Sequence, residues 1–346
     1  MADIWYAVLA LTLIAYSVLD GFDFGAGILH LFVAKTDGER RAVFSAVGPY
    51  FHANEVWLIS AGGVLFLAFP SLLATAFPAF YLGLFLVLWA LMLRGIAIEV
   101  RSHVHDAMWA AFWDVVFAGS SLLLALLFGV ALGNVVRGVP IDEKGEFTMA
   151  LFTDFRATGE TGLLDYYTVS VGLFAVTLLT AHGAAFLAWR TERDQRARAA
   201  RLERWLWPAS AAAFVLVSVE TWFVRPELFS ALKTRPLAWL AVAVVVVGIV
   251  LVVSGRRRDR DLQVFVGSST VIAGMLASAA IGLFPTLLHS TLSSAYDLRV
   301  GTHSSAAHGL SAGFAWWPVA FALAVSYFVF IFRTQSDKIS SDDPSH

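Results

Sequence analysis

Seven long stretches of the sequence contain no Asp, Glu, Lys or Arg, and this spacing of charges constrains the fold more than any other feature. A membrane-spanning helix needs about 20 mostly apolar residues, because lipid offers no hydrogen-bond partners to an open backbone. The longest stretch, Leu58 to Leu93, is too long for one crossing, and Pro70 and Pro78 mark a turn between two helices. With the N-terminal segment Ile4 to Val33, the sequence predicts nine spans. The other charge-free stretches are Val115–Val136, Tyr166–Trp189, Trp205–Val219, Leu237–Gly255, Leu262–Tyr296 and Val300–Phe332.

The composition agrees with an all-α integral membrane protein and excludes several other classes. Hydrophobic residues make up 58% of the chain and charged residues 14%, whereas soluble domains carry about 25% charged residues. The net charge of -2 gives no reason to expect a nucleic-acid partner. The absence of cysteine rules out disulfides, thiolate-ligated clusters and a thiolate haem ligand. Any metal would need nitrogen or oxygen ligands.

Lys and Arg are distributed unevenly between the two predicted sides. The connections after spans 1, 3, 5 and 7 hold 15 of the 24 Lys and Arg residues, against 7 in the other connections and 2 in the C-terminal tail. Cytoplasmic loops are enriched in these residues. We therefore expect the N-terminus outside and the C-terminus in the cytoplasm.

Two clusters of polar and ionisable residues lie inside the first two spans. Asp20 and Asp23 share one helix face in span 1, and His52 and Glu55, which flank Asn54, share a face in span 2. A charged side chain at mid-bilayer costs at least about 2.5 kcal/mol, so each of these residues is a functional candidate. Asp23 lies roughly 15 Å from the inner end of its helix, and His52 lies at a comparable depth. We therefore expect the two clusters to meet on the cytoplasmic side.

Further ionisable residues fall in the inner half of the later spans, namely Arg94, Glu99, Asp114 and His182. One interpretation is a chain of protonatable groups that enters from the cytoplasm, with buried carboxylates as relay stations. The alternative is a set of buried ion pairs, for instance Asp23 or Glu99 neutralised by Arg94. Both remain open from the residues alone, and the clustering on one side favours proton conduction.

Histidine pairs on facing helices could also bind haem. The membrane-embedded candidates are His30, His52 and His182. A single histidine on an apolar helix is more often a hydrogen-bonded core residue than a ligand, and no two of these three clearly face each other. We therefore predict no haem, no metal site and no catalytic residue on this chain.

The same motifs resemble those of subunit II of the cytochrome bd type quinol oxidases, including the cyanide-insensitive branch. The resemblance is specific from Leu19 to Glu192 and loose afterwards, where Phe284-Pro285 and a final apolar helix are the main landmarks. The matching segments are Leu19 to Gly27, Asn54 to Ile59 with Ala61-Gly62-Gly63 and Phe69-Pro70, Arg94-Gly95 with Glu99 and Arg101, Trp113-Asp114, Gly119-Ser120, Gly133-Asn134 with Gly138-Val139-Pro140, and His182-Gly183-Ala184 with Arg190-Thr191-Glu192.

The resemblance implies a heterodimer with a haem-bearing subunit I in a bacterial cytoplasmic membrane, with two four-helix bundles and a peripheral helix in each subunit. It places haem b and haem d in the partner and makes ubiquinol or menaquinol the substrate, with small single-span accessory subunits as further partners. This chain would supply scaffold and a proton route in which Asp23 matches the inner carboxylate. The implied segments are a first bundle (1–136), an outer loop (137–164), a second bundle (165–296) and a last segment with loop, final span and tail (297–346).

Two positions depart from the family pattern. The family usually has Asp where this chain has His52, and an Asn-Pro pair starts its fifth helix where this chain reads Asp165-Tyr166-Tyr167. Histidine can relay protons, but the usual inlet cannot simply be carried over. Two other functions remain open: a proton-coupled secondary transporter that uses Asp20, Asp23 and His52, although no inverted repeat is visible, and a self-contained transmembrane b-type cytochrome.

Overall fold

The computed structural model describes residues 1–104, 106–157, 159–335 and 337–340, and its architecture is helical. Thr158 of the predicted outer loop and the tail residues 341–346 lie outside the described residues. A two-stranded antiparallel sheet and one 3-10 turn (Ser294–Tyr296) stand between the last two long helices. The elements are α1 Ala2–Val33, α2 Asp37–Ala68, α3 Pro70–Ala79, α4 Tyr81–Val100, α5 Ala107–Arg137, α6 Tyr166–Arg190, α7 Arg193–Val224, α8 Glu227–Thr234, α9 Pro236–Arg257, α10 Asp261–Leu283, β1 Thr286–Leu288, β2 Leu298–Arg299 and α11 Ala307–Thr334.

Nine helices in the described part of the chain are long and apolar enough to cross a membrane, which confirms the predicted number of spans. Two short helices were not predicted: α3 fills the turn between Pro70 and Pro78, and α8 connects α7 to α9. The division into two four-helix bundles stays a prediction.

Several helices extend beyond the charge-free stretches that predicted them. α2 begins at Asp37, 21 residues before the charge-free stretch that starts at Leu58, and Thr36 and Glu39 form a capping box at its N-terminus. α7 begins at Arg193, so the Arg-rich connection is helical. α4 continues past its charge-free stretch to Val100, and Arg94, which the sequence predicts in the inner half of this span, is fully buried in it. The distribution of charge marks where lipid ends, not where the helix ends.

Close contacts between glycines bring α6 against α1 and α5. A Cβ atom built on Gly25 would lie 2.0 Å from the backbone oxygen of Leu179, and one on Gly183 would lie 2.2 Å from the carbonyl carbon of Gly25. Gly129 of α5 meets Gly172 of α6 in the same way, at 2.7 Å. These small-residue faces let helix backbones touch. Gly21 with Gly25 on α1 and Gly129 with Gly133 on α5 thus form two small-residue faces that pack against α6 inside this chain.

The last helix, α11, is anchored at both ends. At its start the Trp5 indole donates to the Leu310 carbonyl oxygen at 3.0 Å. Beyond its end the chain folds back on the α6 end, where the Ile339 amide donates to the Arg190 carbonyl oxygen at 2.8 Å. The Tyr50 hydroxyl donates to the Gln335 carbonyl oxygen at 2.8 Å. These contacts hold the end of α11 against the middle of α2 and the Arg190 end of α6.

Candidate functional site

The centre of the site is a fully buried ion pair between α4 and α1. An Arg94 guanidinium nitrogen lies 2.8 Å from an Asp20 carboxylate oxygen, and neither side chain is exposed. The guanidinium also lies over two aromatic rings, 4.5 Å from the centre of Phe24 and 4.9 Å from that of Phe51. Arg94 therefore pairs with Asp20, not with Asp23 or Glu99 as the ion-pair interpretation suggested. Sequence reasoning missed the two rings, because nothing separates them from the many other aromatic residues.

Asp23 lies one helix turn from Asp20 and has a different environment. The Asn54 side-chain amide donates to one Asp23 oxygen at 2.8 Å and to the Leu19 carbonyl oxygen at 2.9 Å. The second oxygen of Asp23 and the side-chain oxygen of Asn54 are buried and have no hydrogen-bond partner among the described residues. Asp23 is fully buried, and no ion pair joins it to a cation in the part of the chain that the structure describes. Its carboxyl group therefore keeps one oxygen free to take up or release a proton.

Glu55 connects the buried pair to the surface of the chain. One of its carboxylate oxygens lies 3.8 Å from the Arg94 guanidinium, and 30% of its side chain is exposed. The order from the surface inward is thus Glu55, then the Arg94–Asp20 pair, then Asp23 with Asn54.

His52 does not meet the two aspartates, contrary to the prediction. Its imidazole Nε2 lies 3.1 Å from a Glu99 oxygen, and the two side chains are 70% and 58% exposed. The reason is helical rotation: two residues turn a helix by about 200°, so with Asn54 directed at Asp23, His52 points away from α1. The His52–Glu99 pair therefore lies on the outer face shared by α2 and α4.

Asp114 forms a second, separate cluster at the arginine-rich ends of the first helices. Its carboxylate lies 2.8 Å from His30 Nε2, 2.8 Å from an Arg40 nitrogen and 2.6 Å from Arg101 Nε. Arg101 also donates to Asp37 at 2.8 Å. Both Asp114 oxygens are occupied by these contacts. The cluster ties α1, α2 and α5 together and leaves the carboxylate no free position.

His182 is a core histidine with both ring nitrogens engaged. Nδ1 lies 2.6 Å from the Ser268 hydroxyl, and Nε2 lies 3.0 Å from the Val18 carbonyl oxygen. The ring also stacks on Phe265, with ring centres 5.2 Å apart. These contacts link α6 to α10 and α1.

The three histidines of the spans do not fit the ligation of haem by this chain. Both ring nitrogens of His182 are held by Ser268 and Val18, whereas in His30 Asp114 holds Nε2, and Nδ1, which has no partner among the described residues, is buried beside the rings of Phe44 and Phe117. His52 is exposed and paired with Glu99.

The comparisons with known proteins agree with the resemblance in the motifs. The model of the family described as cytochrome bd terminal oxidase subunit II matches residues 1–335. The chain is 31% identical over 316 residues to the cytochrome bd-I ubiquinol oxidase subunit 2 of Escherichia coli K12, covering 83% of this chain and 82% of that protein. It is also 31% identical over 310 residues to the cytochrome bd ubiquinol oxidase subunit 2 of Bacillus subtilis 168, covering 89% and 88%.

The fold has a counterpart among solved structures. A chain of the bd oxidase from Geobacillus thermodenitrificans superposes with a TM-score of 0.69 and 18% sequence identity, covering 95% of this chain and 98% of that one. The match of the family model over nearly the whole chain, with two relatives above 30% identity, settles the family. This chain belongs to the cytochrome bd terminal oxidase subunit II family.

Proposed function

We propose that this chain is the non-haem subunit of a membrane quinol:oxygen oxidoreductase. In this role it scaffolds a haem-bearing subunit I and supplies a proton route to the site of oxygen reduction. The names of its relatives, which are ubiquinol oxidase subunits, support the reaction class. Family membership argues against both the secondary transporter and the self-contained b-type cytochrome.

The observation that carries the proton route is the free carboxylate oxygen of Asp23. A relay group must be able to accept a proton and pass it on, so it needs a position that no permanent donor fills. Asp23 meets this requirement inside the bilayer, whereas Asp114 does not, because His30, Arg40 and Arg101 occupy both of its oxygens.

The route we propose enters laterally from the α2–α4 face. His52 and Glu99 stand at the entrance, Glu55 follows with a less exposed side chain, and the protons then pass the Arg94–Asp20 pair to Asp23. Asn54 holds Asp23 in place through the 2.8 Å hydrogen bond. Arg94 lowers the electrostatic cost of two buried aspartates one turn apart, because its positive charge lies next to the first of them.

The same face is the surface that we propose for subunit I. The two helices that carry the His52–Glu99 pair also expose apolar side chains, among them Ile59 at 74% and Leu88 at 62%. A histidine and a carboxylate turned toward lipid would be costly, so a polar partner or water has to cover them. A transmembrane subunit that brings polar groups and water to this depth would satisfy both side chains and leave the entrance of the route open.

The remaining parts of the proposal concern the complex as a whole. Haem b and haem d belong to subunit I, ubiquinol or menaquinol is oxidised there, and small single-span subunits can join. The N-terminus lies outside the bacterial cytoplasmic membrane and the C-terminus in the cytoplasm, so the arginine-rich side faces the cytoplasm.

The experiment that tests the proposal compares two aspartates of the same helix in the complex with subunit I. Asp23→Asn keeps the size and hydrogen-bonding capacity of the side chain but cannot carry a proton. We expect slower steady-state quinol oxidation with unchanged subunit assembly and haem spectrum. Asp3→Asn is the matched control, because Asp3 is an exposed carboxylate at the other end of α1. Full activity of Asp23→Asn across the working pH range would overturn the relay.

A further inference from the structure

A polar recess of about 590 Å³ opens on the arginine-rich side, between the end of α6 and the start of α10. Its polar rim includes Arg260, Asp259 and Lys338, and its apolar floor includes Trp189 and Leu262. Leu262 is half exposed in the first turn of α10, where the charged residues 256–261 give way to the apolar span. The recess thus lies at the level of lipid headgroups.

The charges of the rim favour a phosphate. Asp261, which also lines the recess, is already neutralised by Arg196, which donates to both of its oxygens at 2.6 and 3.0 Å. Lys338 lies 3.6 Å from the same carboxylate and keeps donors for another acceptor. Arg260 has no side-chain partner among the described residues, and cationic donors bind phosphate oxygens strongly. Asp259 beside them can accept from a donor group that lies beyond the phosphate.

An apolar groove of about 440 Å³ lies next to this recess, between α1 and α11. The described residues that line it are all apolar, among them Ala15 and Trp57 and, on α11, Phe321, Val325 and Phe332. Phe332 of the groove and Trp189 of the recess have parallel rings with centres 6.4 Å apart, so the two cavities adjoin. From Phe321 to Phe332 the helix rises roughly 16 Å, about half the thickness of the hydrocarbon core. The groove has the length of one acyl chain.

We propose that the recess and the groove together bind one phospholipid from the leaflet on the arginine-rich side. Arg260 and Lys338 hold its phosphate, Asp259 accepts from an ammonium or hydroxyl group at the end of the headgroup, and one acyl chain fills the groove along α11. A quinone would leave the charged rim without a partner, whereas a phospholipid satisfies both cavities at once.

The test measures the phospholipid retained by the purified oxidase complex, by phosphorus content and lipid mass spectrometry. We expect the double variant Arg260→Gln with Lys338→Gln to bind the phospholipid roughly 30-fold more weakly, because each cationic contact at a lipid surface contributes about a fivefold factor. The purified double variant should therefore contain one phospholipid less per complex. Arg257→Gln is the matched control, because Arg257 is exposed at the end of α9 and does not line the recess. Val325→Trp should lose the same lipid by filling the groove, with both cations intact.

Adding back phospholipid or inorganic phosphate to a delipidated complex shows whether the bound phosphate belongs to a lipid headgroup or to a free ion. Phosphatidylethanolamine or phosphatidylglycerol should raise the thermal midpoint of the parent and of Arg257→Gln, and should fail to do so in the double variant. Equal phospholipid content in the parent and the double variant would overturn the proposal. So would a quinone as the only molecule in the groove, or stabilisation by inorganic phosphate alone that matches the effect of the lipid.

Discussion

The guanidinium of Arg94 and the carboxylate of Asp20 lie 2.8 Å apart with both side chains fully buried, and this ion pair holds α4 to α1 at the depth of the candidate site. Burial removes both ions from water, so each depends on the other for compensation. The pair also separates the surface residue Glu55 from the deeper Asp23.

Removing one partner of this pair should destabilise the complex. Arg94→Gln leaves Asp20 as a buried carboxylate without a counter-ion, and breaking a buried pair costs about 3–5 kcal/mol. We expect a lower thermal midpoint and a lower yield of assembled oxidase. The double variant Arg94→Gln with Asp20→Asn removes both charges and should recover part of the loss. Thermal unfolding of the three purified complexes measures this, and a double variant less stable than either single one would contradict a simple pair.

Asp114→Asn should affect assembly and not the proton route. The substitution removes the negative charge that His30, Arg40 and Arg101 share, so two arginines at the ends of the helices lose their common partner. We expect less assembled complex and lower haem content, with turnover per haem unchanged. The measurement is activity normalised to the haem spectrum. A complex that forms in full amount but turns over slowly would show that Asp114 carries protons after all.

His52 and Glu99 should control entry to the route from the α2–α4 face. His52→Leu removes the proton-exchanging group and should slow quinol oxidation, while His52→Asp restores the residue usual in the family and should preserve or raise it. Val56→Leu is the control, since Val56 is an exposed apolar residue one turn further along the same helix. The measurement is steady-state turnover in assembled complexes. Unchanged activity of His52→Leu would show that this pair is not part of the proton route.

The glycine contact between α1 and α6 should tolerate no side chain. Gly25→Ala places a methyl group 2.0 Å from the Leu179 carbonyl oxygen, so the helices must separate. Overpacking costs about 1–3 kcal/mol, and contact with backbone puts this case at the upper end. Gly62→Ala is the matched control, because a Cβ there meets nothing within 4 Å. Equal thermal midpoints for the two variants would show that α1 and α6 are not packed as closely at Gly25 as the structure has them.

The number of spans could be predicted because the cost of placing charge in lipid leaves long charge-free stretches in the sequence. The helix ends could not, since residues such as Arg193 and Asp37 continue a helix in water as readily as they would form a loop. The partners within the site could not be predicted either. Depth along a helix follows from residue counting, but the rotation that pairs Arg94 with Asp20 and turns His52 outward depends on how the helices pack.

The glycines of α1 and α5 determine when these helices can pack during synthesis of the chain. Gly25 of α1 and Gly129 of α5 find their partners in α6, which begins at Tyr166 and ends at Arg190. Translation proceeds at about 5–20 residues per second, so roughly 3–10 s separate the emergence of α5 from the completion of α6. During that interval the glycine face has only lipid or the insertion machinery against it. Helices α1 and α5 therefore reach their packed arrangement only after α6, a later part of the same polypeptide, has been made.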